Sequence, residues 1–253
     1  MELIAIGKKA AKKLAALERA ISTGDLKGFE KIFPALETEL ANAISALPEA
    51  RDKYKSLQAW IKSSEYPVAL EQKMAEAQLK WEGSFPVYQI HPFKLEVGVE
   101  GGSASLTFNR KTDKTPALDP SALTQWVAQK RKKLLETPFH SERFCDSLRE
   151  AYENANRLMF TVKNVLWGKA VSLRGIYNML TIRPQGKKDY PIDVFVYDLT
   201  RWKETGEENP NGMVFELGNI KGDPAFELAF SDGRRMSVNN LTIHKDSGEI
   251  GNG

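Results

Sequence analysis

Apolar residues recur three and four positions apart through the first third of the chain, two apart in its middle, and at helical spacing again before a last alternating stretch. Residues 1–22 are rich in alanine and lysine, which favour helix. Leu14, Leu17 and Ile21 fall on one side of that helix, with Lys8, Lys9, Lys12, Lys13 and Arg19 as a basic surface beside them. Such a surface is either a solvated face or a phosphate- or acid-binding arm. Thr23-Gly24-Asp25 predicts a stop and a restart. Beyond it Leu26, Phe29, Phe33, Leu36, Leu40, Ala43, Leu47, Ala50, Tyr54, Leu57 and Ile61 form a heptad seam. Pro34 and Pro48 fall within it, and a proline inside a helix costs about 3 kcal/mol. The expected arrangement is separate helices packed as a small bundle, with the seam as its core. The alternative is an intermolecular coiled coil, with Leu26, Phe29, Phe33, Leu36 and Leu40 at an oligomer or partner interface. Ser63 to Pro67 interrupts the pattern, and Leu70, Met74, Ala77 and Trp81 continue it as a last helix to Gly83.

At Phe85 the period changes to two. Val87–Ile90, Phe93–Val99 and Ser103–Phe108 alternate as half-buried strands do, with Gly101-Gly102 as a hairpin turn and Asn109–Ala117 as a polar loop. Asp119-Pro120 caps and starts a helix whose apolar face carries Leu123, Trp126, Val127 and Leu134. Lys130, Arg131, Lys132 and Lys133 crowd its C-terminal end, where cations suit the helix dipole or make contacts. From Ser141 a long helix buries Phe144, Leu148, Ala151, Tyr152, Ala155 and Leu158, and is expected to run to Trp167.

Ser172 then caps a short helix with Leu173, Ile176, Tyr177 and Leu180 on one stripe. Pro184 and Gly186 break it. Pro191 opens a second helix with Ile192, Phe195, Leu199 and Trp202 in register, and Gly206 is placed to end it. The register predicts a buried Trp202. Strands follow at Met213–Leu217 and Ala225–Phe230, and Arg235–Ile243 pairs back across an Asp232-Gly233 turn. Two short helices followed by strands is the order of a winged helix-turn-helix. The fold class expected is therefore α+β. Residues 1–83 form a helical interaction module, 84–134 a small antiparallel sheet plus helix, 135–247 a winged-helix-like domain and 248–253 an unstructured tail.

Composition is that of a soluble globular protein, and the net charge of +3 does not by itself mark a nucleic-acid binder. The one cysteine, Cys145, lies on a helix and reads as a small buried side chain. No apolar run approaches the ~20 residues of a membrane span. The N-terminus has apolar residues followed by lysines, the reverse of a secretory signal, which points to the cytoplasm. His91, His140 and His244 are scattered without metal-ligand spacing. No phosphate loop, no GxGxxG and no Gly-x-Ser-x-Gly elbow occurs. Glu216 with Lys221 is the nearest approach to a nuclease carboxylate–lysine motif. No cofactor or metal and no catalytic residue is implied.

The helix from Pro191 to Glu204 would be the recognition helix, yet Asp193, Asp198 and Glu204 outnumber Arg201 and Lys203. A groove-reading helix presents Arg, Lys, Asn or Gln. Positive charge lies around it, at Arg183, Lys187 and Lys188 before the helix and at Arg234 and Arg235 in the hairpin. Together with Lys130–Lys133 these are the candidates for phosphate contacts or for an acidic protein partner. The stretches Val171–Leu180 and Asp193–Trp202 resemble winged-helix accessory subunits of DNA-handling ATPases of the structural-maintenance-of-chromosomes type. The resemblance covers about residues 135–245. It implies a bacterial chromosome, plasmid or phage-defence role, with an ATPase subunit as partner and no catalytic residue of the chain's own. Three functions follow as expectations. The first is a non-enzymatic adaptor that forms homo-oligomers or hetero-complexes. The second is a DNA-binding winged-helix regulator making non-specific phosphate contacts, and the third a nuclease.

Overall fold

The computed structural model describes residues 2–206 and 212–245. Residues 207–211 of the polar loop expected after Gly206, and the expected tail 248–253, lie outside the described residues. The chain divides into two compact units, residues 1–66 and 67–253.

In the first unit α1 (Glu2–Thr23) and α2 (Leu26–Ile61) form an antiparallel hairpin. The turn is set locally. Gly24 takes a positive φ, the Asp25 amide donates to the Ala20 carbonyl at 2.9 Å, and the Asp25 carboxylate accepts from the Gly28 amide at 2.9 Å. That places Asp25 as the N-cap of α2. The separate helices expected at the prolines do not occur, because α2 runs unbroken through Pro34 and Pro48. Both prolines are exposed, on the side of α2 turned away from α1. The carbonyls of Glu30 and Ile44, which lose their helical donors, therefore meet water, and this is where the loss costs least.

The seam is also divided. Phe29 and Leu36 turn toward α1, where they pack with Ile32, Ala10 and Leu17, and a Lys13–Glu39 ion pair of 3.0 Å closes beside them. Leu26, Phe33, Leu40, Leu47 and Tyr54 stay exposed.

The boundary between the units falls inside α3 (Glu65–Glu76). This helix stops short of the expected Gly83, because Gln78 adopts a left-handed φ of 55° and the Leu79 amide turns back to the Met74 carbonyl. A five-stranded antiparallel meander follows: β1 (Glu82–Ser84), β2 (Val87–Ile90), β3 (Phe93–Gly98), β4 (Ser103–Phe108) and β5 (Lys111–Thr115). The two edge strands are the ones the alternation does not reveal. β1 is exposed throughout, and β5 lies in what reads as a polar loop.

α4 (Pro120–Leu135) is capped by Asp119, whose carboxylate accepts from the Ala122 amide. α5 (Ser141–Phe160) ends seven residues before the expected Trp167, at Thr161 with a left-handed φ of 53°. Buried Asn156 then holds the following segment by a reciprocal pair, donating to the Leu166 carbonyl and accepting from its amide.

β6 (Val171–Ser172), α6 (Leu173–Leu180), a one-turn α7 (Gly186–Asp189) and α8 (Ile192–Thr205) come next. Ser172 caps α6 and Gly206 ends α8 in the left-handed region, both as the sequence predicts. A side chain at Gly186 would press on the Thr181 backbone at 2.8 Å, so the α6–α7 turn requires glycine. The last strands are β7 (Met213–Gly218), β8 (Phe226–Ala229), β9 (Arg235–Val238) and β10 (Asn240–Lys245). The single returning strand expected from Arg235 is two strands, because Asn239 interrupts it. Its side chain bonds both the amide and the carbonyl of Ile220. β8 pairs with β9, and β6, β10 and β7 form a separate antiparallel sheet in that order.

One large core fills the second unit. Leu148 and Tyr152 of α5, Ile176 of α6, Phe195, Leu199 and Trp202 of α8, Phe215, Leu228 and Ile243 meet in it, and Phe108 and Phe93 join it from the five-stranded sheet.

Candidate functional site

The helix in the recognition-helix position, whose acidic residues speak against base reading, is enclosed. From Phe195 to Trp202 every residue of α8 except Arg201 is buried. α4, α5 and β8 pack against it. Trp202 is 1% exposed and meets Phe215 edge-on, so the expected burial of Trp202 holds. Phe195 meets Phe226 of β8 in the same way, which seats the β8–β9 hairpin over the helix.

The polar side chains of α8 are engaged within the second unit. Asp193 accepts from Lys111 of β5 at 3.0 Å. Glu204 accepts from the Ser231 amide at 2.6 Å. Asp198 accepts from the Tyr190 hydroxyl at 2.6 Å and from Arg201, which also donates to the Thr137 carbonyl at 2.8 Å. The Arg201 guanidinium lies 4.5 Å from the Phe139 ring centre and 4.8 Å from that of Tyr197, as a cation between two aromatic faces. Burial pushes the Asp198 carboxyl up, against the Tyr190 and Arg201 bonds that favour its charge, and burial beside Asp198 holds the Tyr190 hydroxyl well above its usual range. This network ties α8 to the α4–α5 turn. It was invisible in sequence because Thr137, Tyr190 and Asp198 have no common period.

The basic candidates separate into two groups. Lys130 pairs with Asp113 at 2.6 Å and holds that carboxyl below its usual range. Arg131 donates to the His91 carbonyl, and Lys132 lies 3.7 Å from Glu136. Arg234 pairs with Asp232 at 2.6 Å, and Arg235 with Glu227 of the facing strand. Four of these five stand in ion pairs, and Arg131 donates to a backbone carbonyl. Lys133, Arg183, Lys187 and Lys188 are exposed, and no ion pair is formed by them among the described residues. The last three share the α6–α7 segment.

A cavity of about 610 Å³ opens beside the β8–β9 hairpin, between Leu79, Trp81, His91, Phe93, Phe230 and Arg234. Burial lowers the His91 pKa. Lys80, Glu82, Arg234 and Arg235 are the charged residues of its lining, with Arg234 paired to Asp232 and Arg235 to Glu227. Among the described residues no group of three His, Cys, Asp or Glu is placed to hold a metal ion. Cys145 is buried. No described helix is long and apolar enough to cross a membrane.

The first unit also exposes a row of large apolar side chains. Leu26, Phe33, Leu40, Leu47 and Tyr54 stand seven residues apart along α2, and Leu26 is 76% exposed. On α1, Leu14 and Ile21, also seven apart, are exposed too. On ideal helices Leu14, Ile21, Leu26, Phe33 and Leu40 lie roughly 50–90° from the buried face of their own helix, all in the same rotational sense. Since α1 and α2 run antiparallel, the same sense means the same side of the hairpin. One side therefore carries an apolar surface built from both helices. Lys8, Lys9, Lys12 and Arg19 turn to the opposite side.

No family model matches the chain, and no curated protein or solved structure is significantly similar to it.

Proposed function

We propose that this protein is a non-enzymatic adaptor, whose N-terminal hairpin associates through its apolar side and whose C-terminal part docks on protein. The observation that carries the reading is the exposed heptad row on α2 with Leu14 and Ile21 beside it. A lone hairpin with this row in water would leave large side chains hydrated that a partner helix would bury, and contiguous patches of this kind mark interaction sites. For the C-terminal part, support for a winged-helix-like domain comes from the sheet order β6-β10-β7 with α5 before β6 and α6 and α8 between β6 and β7. The enclosure of α8 speaks for a domain that docks on protein rather than reads bases. An ATPase subunit of a DNA-handling or phage-defence assembly is the partner its resemblance suggests.

Light scattering of the full chain at tens of micromolar tests the adaptor. Association above monomer mass is expected, and Leu40→Glu with Leu47→Glu should abolish it while the melting temperature holds. A monodisperse monomer would overturn self-association.

A second reading, DNA binding through phosphates alone, is favoured by one observation. Arg183, Lys187 and Lys188 are exposed cations on one short segment. Random duplex DNA titrated at two salt concentrations decides it. Phosphate contact predicts binding at low salt whose salt slope falls by about 1 when one of these lysines is removed. No binding at low salt ends the reading.

A further inference from the structure

We infer that the partner of the N-terminal hairpin is a second copy of this chain, with the two α2 helices packed antiparallel about a two-fold axis near Ala43 and Ile44. The inference rests on the adaptor reading above and adds the partner's identity and its direction. It comes from the order of residues in the row. Phe33, Leu40, Leu47 and Tyr54 read aromatic, aliphatic, aliphatic, aromatic. The row is the same in either direction. An antiparallel copy therefore sets Leu40 on Leu47 of its partner and Phe33 on Tyr54, each pair twice by symmetry, as a two-fold interface requires. Ile61, which would meet Leu26 in this register, is already buried, so that outer pair takes no part.

Charge agrees with the same register. Glu30 and Glu37 each stand four residues after a row residue, on its outer flank in the N-terminal half of α2, and Arg51 does so in the C-terminal half. All three are exposed. Antiparallel packing puts the outer flanks of the two copies on the same side and brings Glu37 opposite Arg51. Parallel packing would put those flanks on opposite sides of the pair, where Glu37 and Arg51 could not meet. α2 as a whole carries five acidic and five basic residues, so it presents a copy of itself with no net repulsion. Area agrees too. The exposed parts of Phe33, Leu40, Ile44, Leu47 and Tyr54 amount to roughly 600 Å² per copy, the lower end of the ~600–1,000 Å² per partner of a standard-size interface.

The experiment is site-directed cross-linking of the full-length protein with a short bis-maleimide, using the wild type with its buried Cys145 as the blank. Ile44→Cys, next to the axis, is expected to cross-link to itself. Phe33→Cys and Tyr54→Cys are each expected to stay uncross-linked alone and to link when the two variants are mixed. Glu37→Lys should weaken the dimer several-fold in light scattering, and adding Arg51→Glu should restore it, with melting unchanged in both because the side chains are exposed. A dimer in which Phe33→Cys links to itself overturns the antiparallel pairing and leaves the adaptor standing. A monomer at tens of micromolar overturns both.

Discussion

Residues 1–66 and residues 67–253 draw on the same kinds of side chain and bury them to different extents. In the hairpin Ala10, Leu17 and Leu36 form a small buried cluster, while Leu26 and Tyr54 remain 76% and 63% exposed. In the larger unit Phe195, Leu199, Ile176, Leu228 and Ile243 reach 0%. Two helices side by side can cover only one stripe of each other, whereas helices packed on sheets cover all sides of a central element. α8 is such an element, and the cost of enclosing it is that its surface is closed to a ligand. The contrast teaches where large apolar side chains stay in water: on the unit whose two helices cover one stripe of each other.

The largest effect expected is at Trp202. Trp202→Ala should destabilise the larger unit by about 3–5 kcal/mol through lost packing against Phe215 and the core. Near-ultraviolet circular dichroism on melting would follow it. A melting temperature within a degree of the wild type would break the comparison, since it would mean that the centre of the larger unit is as loosely packed as the hairpin.

Smaller and opposite in sign is the effect of Pro34→Ala or of Pro48→Ala, each made singly. Each change restores an α2 hydrogen bond, and each is worth at most about 3 kcal/mol, less where the freed carbonyl faces water. Helical signal and its melting temperature should both rise. No rise would show that α1 packing alone, and not the missing bonds, limits the hairpin.

The smallest effect expected is a pH dependence at His91 in the larger unit. Burial holds its pKa below the ordinary 6.5, so the unfolded chain takes up a proton there before the folded chain does. The stability that neutral His91 contributes is fully present above pH 6.5 and is lost as pH falls through the window below it. Urea unfolding at pH 7.5 and 5.5 should show this loss, and His91→Gln should flatten it. An unchanged slope in the variant would assign the acid sensitivity elsewhere.

Much of the helical framework was legible in the sequence because it rests on neighbours in the chain. Asp25, Asp119 and Ser172 cap helices by accepting from an amide three residues on, and Gly206 ends one through its own backbone freedom. The register that put Trp202 beside Phe195 and Leu199 is likewise a local periodicity. Strands β1 and β5 were not legible, since β1 is exposed throughout and β5 is Lys111-Thr-Asp-Lys-Thr115, neither with an apolar alternation.

By itself, then, the sequence determined which stretches become helix or central strand, where most helices begin, and which stripe of each is apolar. Only the tertiary structure decided which stripe is covered. Whether Phe33 is core or surface depends on which face of α2 packs against α1, and whether Arg235 is free or paired depends on Glu227 standing across a strand pair. Those outcomes are sums of contacts between residues far apart in the chain, and a pattern of near neighbours contains none of them.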